Sequence, residues 1–392
     1  MSLEISAIQK TLAIDGVDGW LLYDFHGSNP IAVNMAGLAG KHTTRRWYYY
    51  IPASGAPKKL VHAIEPFVLD ALPGDKRVYA GRQQLEQGVS EVLRGSKVVA
   101  MEYSPENSIP YLSRVDAGTV DFIRRLGMRV VSSGDLVGRF EAAWNDAQIA
   151  THMAASEKLY EIKDRAFEWA GARLAAGTAI HEYELQQQMV AWFKELKLVA
   201  YAPPIVAAME NAGTPHYAPT RETSRPIRPN EDLLLDLWGK LEQPGSVYAD
   251  ITWCGFSGEP PAHIAKAFGT IVAGRDAAVK IVQSSIAAGD PVHGFEVDRA
   301  TRDVITAAGY GDQFIHRTGH SLGEEVHGNG VPMDDSETHD DRRLVQGTGF
   351  TIEPGIYTKE FGCRTEINMV VGARSAEVTG PRQQTLVKIR TS

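Results

Sequence analysis

Four acids stand where strands rarely carry charge. Asp236 follows three leucines in LLLDLW, and Asp250 opens DITWCGF. Glu353 sits between Ile352 and Pro354 in FTIEPG, and Glu366 lies in RTEINMVV. An ionised carboxylate in apolar surroundings is costly unless it is paired or bound to metal. An ion pair or a backbone cap would account for any one of them. With only Arg364 and Lys240 close by in sequence, four separate ion pairs are harder to arrange than one metal site. The histidines agree. His316, His320 and His327 fall within IHRTGHSLGEEVHG at spacings of four and seven. A spacing of four could place two of them on one helical face, but Gly319 and Gly323 oppose a regular helix there. A glycine directly before His320 suits a bend in which backbone closely approaches a site. His320 is therefore expected as a ligand, with His316 supporting it from behind.

Charge then selects the number of ions. Four carboxylates carry −4, which two divalent cations offset while leaving room for a bridging hydroxide. One cation would leave −2 in a largely buried cavity. Oxygen-rich ligation with one imidazole suits Mn²⁺ first, with Co²⁺, Fe²⁺ or Zn²⁺ as alternatives. Two ions about 3.5–4 Å apart polarise a carbonyl and supply hydroxide at neutral pH, the chemistry of a two-metal hydrolase.

These residues need elements to hold them. Asn145 is placed to cap a long helix reaching about Leu174, with Gly177 ending it. Leu185, Met189, Trp192, Phe193 and Leu196 mark one face of a second helix, and a third spans about Ala262 to Ala288. DLLLDLWG, YADITWCGF, GFTIEPGIY and CRTEINMVVG read as strands between and after them. Upstream, Leu3 to Asp15 is helical in spacing, and Gly19–Phe25, Arg45–Ala53, Lys97–Tyr103 and Arg129–Val137 read as strands. Pro105 to Leu126 carries a helical pattern. That alternation predicts an α/β domain over 1–144, followed by a catalytic domain over 145–392.

The bulk numbers set the limits. The chain has 392 residues, 43% hydrophobic and 22% charged, the composition of a globular protein with two domains. No apolar run approaches the ~18 residues of a membrane span, and the N-terminus lacks the basic start and apolar run of an export signal. No membrane partner and a cytoplasmic location are expected. A net charge of −8, without a basic stripe, argues against nucleic acid. Cys254 and Cys363 are the only cysteines, which excludes a disulfide framework.

Taken in order, LLLDLW…ADIT, HRTGHSLGEEVHG, FTIEPGIY and GCRTEINMV resemble the strand motifs of the pita-bread metallopeptidases, and TPHYAP resembles that group's upstream histidine motif. The group includes prolidases, aminopeptidases P, methionine aminopeptidases and the metal-free creatinases. The resemblance covers about Asn145 to the C-terminus and implies an α+β protein. Its C-terminal half would have the pita-bread (creatinase/aminopeptidase) fold, preceded by a smaller α/β, creatinase-like N-terminal domain. It implies that Asp236 binds one metal in bidentate fashion, that Asp250 and Glu366 bridge two ions, and that His320 and Glu353 complete the second. It also gives His216 a substrate contact, His327 the stabilisation of the tetrahedral intermediate and Glu353 a proton shuttle. Arg364 would hold the ligands, its even spacing from Glu366 placing both on one strand face. Trp253 and Cys254 stand where many relatives have Arg-Thr, and the 14 residues from Asp236 to Asp250 (250 − 236) make a longer hairpin than is usual.

Domain content narrows the group. Methionine aminopeptidases would not need ~145 residues ahead of the catalytic half, and creatinases lack the metal carboxylates. The intersection is hydrolysis of an Xaa-Pro bond in a small peptide with proline second: a prolidase first, an aminopeptidase P as the alternative, and a non-catalytic binding protein of the same fold as the remote one. A dipeptidase needs a cation for the substrate carboxylate, for which His339, Arg342, Arg343, Arg45 and Arg46 are candidates. The resemblance implies a homodimer.

Overall fold

The computed structural model describes residues 3–390; the first two residues of the expected N-terminal domain and the last two of the expected catalytic domain lie outside it. The chain forms two compact units that divide between Ala142 and Ala143.

The first unit is a six-stranded mixed sheet. In spatial order its strands are Asp75–Tyr79, Lys58–His62, Trp47–Pro52, Gly19–Asp24, Val98–Met101 and Arg129–Ser132. Both faces are covered, so the central strands are buried along their whole length, as in Gly19–Asp24. The buried Glu102 carboxylate ties the layers together, accepting from Trp20 Nε1 at 2.6 Å, Asn29 Nδ2 at 2.8 Å and Ser133 Oγ at 3.1 Å.

Two expectations here are corrected. Pro105 to Leu126 is not one helix. Short 3₁₀ turns follow Pro105 and Pro110, Glu106 and Asn107 take positive φ, and the helix Ala117–Arg125 begins only where Asp116 caps it. Arg129–Val137 is a strand only to Ser132. A helix, Gly134–Phe140, then starts with Asp135 in its first turn, where the helix dipole favours an acid.

The second unit carries the acids. Asn145 caps the helix Asp146–Ala175 through a reciprocal pair with Gln148, at 2.9 and 3.2 Å, and Gly177 leaves it with φ 66°. This helix and Glu182–Glu195 cover one face of the hairpin Asp232–Leu241 and Ala249–Ser257. Leu233, Leu235, Leu237, Ala249 and Ile251 point into that layer. The pleat sends Asp236, Trp238, Asp250, Thr252 and Cys254 to the opposite face, because Asp236 pairs with Thr252 and Trp238 with Asp250. The longer turn around Pro244 and Gly245 (φ 77°) leaves that register intact.

A second sheet, ordered Ser321–Leu322, Gly349–Ile352, Ile367–Val371 and Ala376–Val378, packs Phe350, Ile352, Ile367 and Met369 against the helix Ala262–Ala288. The helix Gly294–Ala307, which the sequence pattern did not single out, packs beside it. No helix among the described residues is long and apolar enough to cross a membrane.

His152, fully buried on the long helix, faces the Tyr248 carbonyl with Nδ1 at 2.8 Å and Thr379 Oγ1 with Nε2 at 2.7 Å. Burial pushes its pKa down to about 4. An unfolded histidine takes up its proton near pH 6.5, so His152 stabilises the fold fully above that pH and progressively less towards pH 4. Denaturant unfolding at pH 7 and pH 5 should show wild type losing on the order of 1–2 kcal/mol more than His152→Gln on acidification. Equal losses would remove His152 as the cause.

Candidate metal centre

The hairpin places Asp236 and Asp250 on one face; the second sheet brings the other donors to its edge. Glu353 follows the strand ending at Ile352, and Glu366 precedes the strand starting at Ile367. The pairing of Ile352 with Ile367 sets the two glutamates side by side. A further contact joins the sheets, Glu366 N–H donating to the Thr252 carbonyl at 3.0 Å.

His320 enters from the adjoining bend. A Cβ on Gly319 would stand 2.0 Å from the Thr351 carbonyl oxygen, so only glycine lets the chain pass. The His320 N–H donates to Thr351 Oγ1 at 3.0 Å, and Thr351 Oγ1 donates to Glu353 Oε1 at 3.1 Å. His320 Nδ1 faces the Ser321 carbonyl at 3.1 Å; a carbonyl only accepts, so Nδ1 carries the proton and Nε2 presents its lone pair. Nε2 lies 3.4 Å from Glu353 Oε1 and 3.6 Å from Asp250 Oδ2. Asp250, His320 and Glu366 offer ligand atoms that all lie within 4.8 Å of one another.

Arg364 supplies the cationic support. It donates to Asp236 Oδ2, to Thr252 Oγ1 at 2.9 Å, to Tyr357 Oη at 3.1 Å and to the Pro215 carbonyl at 3.5 Å. The hydroxyl proton of Thr252 is left to Glu366 Oε2 at 2.7 Å or Asp236 Oδ1 at 3.2 Å. The strand does not run on from Arg364 to Glu366 as expected: it stops at Arg364 and resumes at Ile367, with Thr365 N–H donating to the Pro354 carbonyl. Both side chains nonetheless meet at Thr252.

His316 stands one layer back. Its Nδ1 donates to the Arg317 carbonyl at 2.7 Å, so Nε2 accepts from Tyr357 Oη at 2.8 Å. His316 therefore reaches Asp236 only through Tyr357 and Arg364. The His327 ring meets His320 edge-on, centroids 4.3 Å apart. His216 is exposed in a loop. Two of the proposed carboxylate-binding residues have other partners. Arg342 is buried against Asp340 and the carbonyls of Asn329 and Gly330, and His339 pairs with Asp335.

The electrostatics describe a cluster short of positive charge. Burial, then Asp236 and Glu353, lifts the Asp250 carboxyl far above its ordinary range. Burial and then Asp250 do the same to Glu366. Asp236 is raised less, because Arg364 opposes its burial. Glu353 alone is lowered, burial being outweighed by His320, His316 and Arg364. Asp250 Oδ1 and Glu366 Oε1 are buried without a hydrogen-bond partner. Two orphaned carboxylate oxygens beside an imidazole lone pair are the donor set a divalent cation takes, so the residues fit a metal centre. Cys254 shares this face but is inert, its thiol donating to the Arg364 carbonyl and its pKa pushed to about 12 by burial.

Thr252, Thr351 and Tyr357 do not stand out in the sequence, and Asn368 does so only as a residue standing where the resembled family often has aspartate. A neutral hydroxyl or amide in a strand carries no mark of function until its neighbours are known.

The family model for metallopeptidase family M24 matches residues 154–373. An Xaa-Pro dipeptidase of Lactobacillus delbrueckii subsp. lactis is 35% identical over 163 residues, which is 41% of this chain and only 40% of that relative's length. The dipeptidase PepE structure from Mycobacterium ulcerans superposes with TM-score 0.72 at 22% identity, covering 98% of this chain and 97% of that one. An X-prolyl aminopeptidase from Caenorhabditis elegans, described as cytosolic with a di-nuclear active site, gives TM-score 0.66 at 18% identity over 98% of this chain and 62% of its own. The architecture is the α+β, pita-bread one.

Arg364→Met should expose the cost of the cluster. It leaves Asp236 buried without its counter-charge, and denaturant unfolding of metal-free protein should show a loss of roughly 3–5 kcal/mol. A loss under ~1 kcal/mol would mean that Arg364 is not what balances Asp236.

Proposed function

Because this chain belongs to metallopeptidase family M24, we propose that it hydrolyses the Xaa-Pro bond of small peptides, dipeptides first. Two divalent ions would be held by Asp236, Asp250, His320, Glu353 and Glu366. The observation that carries this is the pair of partnerless oxygens on Asp250 and Glu366, inside a cluster that one arginine does not neutralise.

When bound, the two ions polarise the scissile carbonyl and make water nucleophilic at neutral pH. The chain's own residues do the rest. Asp250 and Glu366 would hold both ions, Asp236 would hold one of them, and His320 and Glu353 would hold the other. Glu353 is the least buried of the carboxylates whose exposure bears on the site, at 15% against 10% for Asp236 and 7% for Asp250. Held ionised, it can take the proton of the attacking water. A prolyl nitrogen has no N–H and leaves as an amine only when protonated, so Glu353 passes that proton on. His327 is exposed on the rim of the cluster, and desolvation, then His320 and Arg317, lowers its pKa. It thus stays a neutral donor facing the developing oxyanion. His216 contacts the substrate beside it, and Arg364 and His316 keep the ligands in place.

The finer assignments rest on the donor set and the family resemblance. The ions are Mn²⁺, with Co²⁺ or Zn²⁺ as alternatives. The protein works as a homodimer in the cytoplasm. Residues 1–144 form the creatinase-like N-terminal domain and 145–392 the catalytic one. An aminopeptidase P acting on longer peptides is the second reading. It is favoured by the commitment of Arg342 to Asp340, since a dipeptidase must hold a free carboxylate.

A peptide panel decides. After chelation, activity on an Xaa-Pro dipeptide should vanish and return with Mn²⁺, while Xaa-Pro tripeptides and tetrapeptides are cut poorly. Comparable cleavage of the longer peptides would establish the aminopeptidase. No cleavage of any of them, with two ions bound, would discard proline specificity. His327→Ala should keep its metal, by elemental analysis, and lower kcat roughly a hundredfold, the scale of one lost oxyanion donor. A fall in metal content would instead make His327 a ligand.

A further inference from the structure

The Asp250 strand, Ala249–Ser257, has a full backbone neighbour on one edge only. Its other edge is closed at three alternate residues, in two ways. At Asp250 the partner is a side chain: Asn368 Oδ1 accepts from the Asp250 N–H at 3.0 Å, and Nδ2 donates to the Asp250 carbonyl. At Thr252 the partner is backbone, the Glu366 N–H donating to the carbonyl at 3.0 Å. At Cys254 it is again a side chain: Gln383 Oε1 accepts from the N–H at 3.0 Å, and Nε2 donates to the carbonyl at 2.5 Å. Beyond that, Val387–Ile389 pairs with Gly255–Ser257 as an ordinary parallel strand.

Both amides are buried, at 2% exposure. Only Asn and Gln offer a donor and an acceptor side by side, as a peptide does. The positions also run in register, Thr252 facing Glu366 directly and Asp250 facing Asn368, two residues along each strand. The strands carrying the two bridging carboxylates thus touch through backbone at one point and are spaced by an amide side chain at the next.

We propose that Asn368 is a positioning residue for the bridging pair: its amide substitutes for a strand's peptide, fixes the Asp250 backbone and so sets the gap between the Asp250 and Glu366 carboxylates. Gln383 makes the same clamp on Cys254, which bears no ligand, and serves the fold alone. The inference rests on the proposed ligand roles of Asp250 and Glu366. Replacing either amide by a carboxylate keeps the shape and the acceptor, removes the donor, and sets a negative oxygen against a carbonyl.

The test compares two chemically equivalent changes by calorimetric titration of the metal-stripped protein with Mn²⁺, and by melting temperature with and without Mn²⁺. Asn368→Asp should weaken at least one site about tenfold or more, the scale of lost support behind a ligand. It should also shrink the metal-induced rise in melting temperature. Gln383→Glu should lower the melting temperature of the metal-free protein while leaving Mn²⁺ affinity within about threefold of wild type. Wild-type affinity in Asn368→Asp, or an equal loss in Gln383→Glu, would overturn the proposal. Should Asn368→Asp not accumulate as folded protein, Asn368→Ser, whose hydroxyl is too short to bridge both groups, takes its place under the same criteria. An Asp250→Asn protein that keeps both ions at wild-type affinity would instead overturn the ligand assignment beneath it.

Discussion

Four carboxylates cannot be withdrawn from water into one pocket without compensation, and the second unit is arranged around supplying it. Arg364 neutralises Asp236 and, through Thr252, reaches Glu366. That leaves Asp250 and Glu366, the two whose carboxyls burial and mutual repulsion raise most. Their partnerless oxygens are an unmet demand for positive charge. The helices behind each sheet serve that wall indirectly. By burying Leu235 and Leu237 on one side and Ile352 and Ile367 on the other, they fix the pleat that turns the acids inward.

Much of the clustering of these acids was legible in the sequence because they break local rules. An aspartate after three leucines, or a glutamate between isoleucine and proline, contradicts the strand pattern around it, and such contradictions concentrate at sites. The long helix was legible because Asn145 and Gly177 bracket it and its interior is unbroken. What stayed hidden obeys the rules. Thr252 is an ordinary strand residue; its importance lies in which distant groups it faces. In the first unit, Asp75–Tyr79 escapes a reading by pattern because this edge strand is largely exposed and charged, without the apolar alternation that marks a strand. Pro105 to Leu126 misleads in the opposite sense: helical spacing is present, but two prolines and two positive-φ residues cut the backbone.

The histidines show how position in the layers divides labour among identical side chains. His320 is fixed by a carbonyl on one nitrogen and turns the other to the acids. His316 has the same tautomer, for the same reason, but meets a tyrosine hydroxyl instead of a carboxylate. His152 is the most buried of the three and is wholly structural, joining the long helix to the hairpin turn and to Thr379. The family resemblance singles out His320 as the proposed ligand; both ring nitrogens of the other two already have partners.

The hairpin that carries Asp236 and Asp250 is a local structure, whereas Glu366 lies 116 residues beyond Asp250 (366 − 250). Half of the donor set therefore exists as soon as neighbouring strands pair, and the other half arrives only when a far segment of the chain docks. Closing so long a loop costs chain entropy that grows only slowly with length. An ion gripped by both halves would act as a fastener across that loop, slowing the separation of the two sheets more than the formation of either.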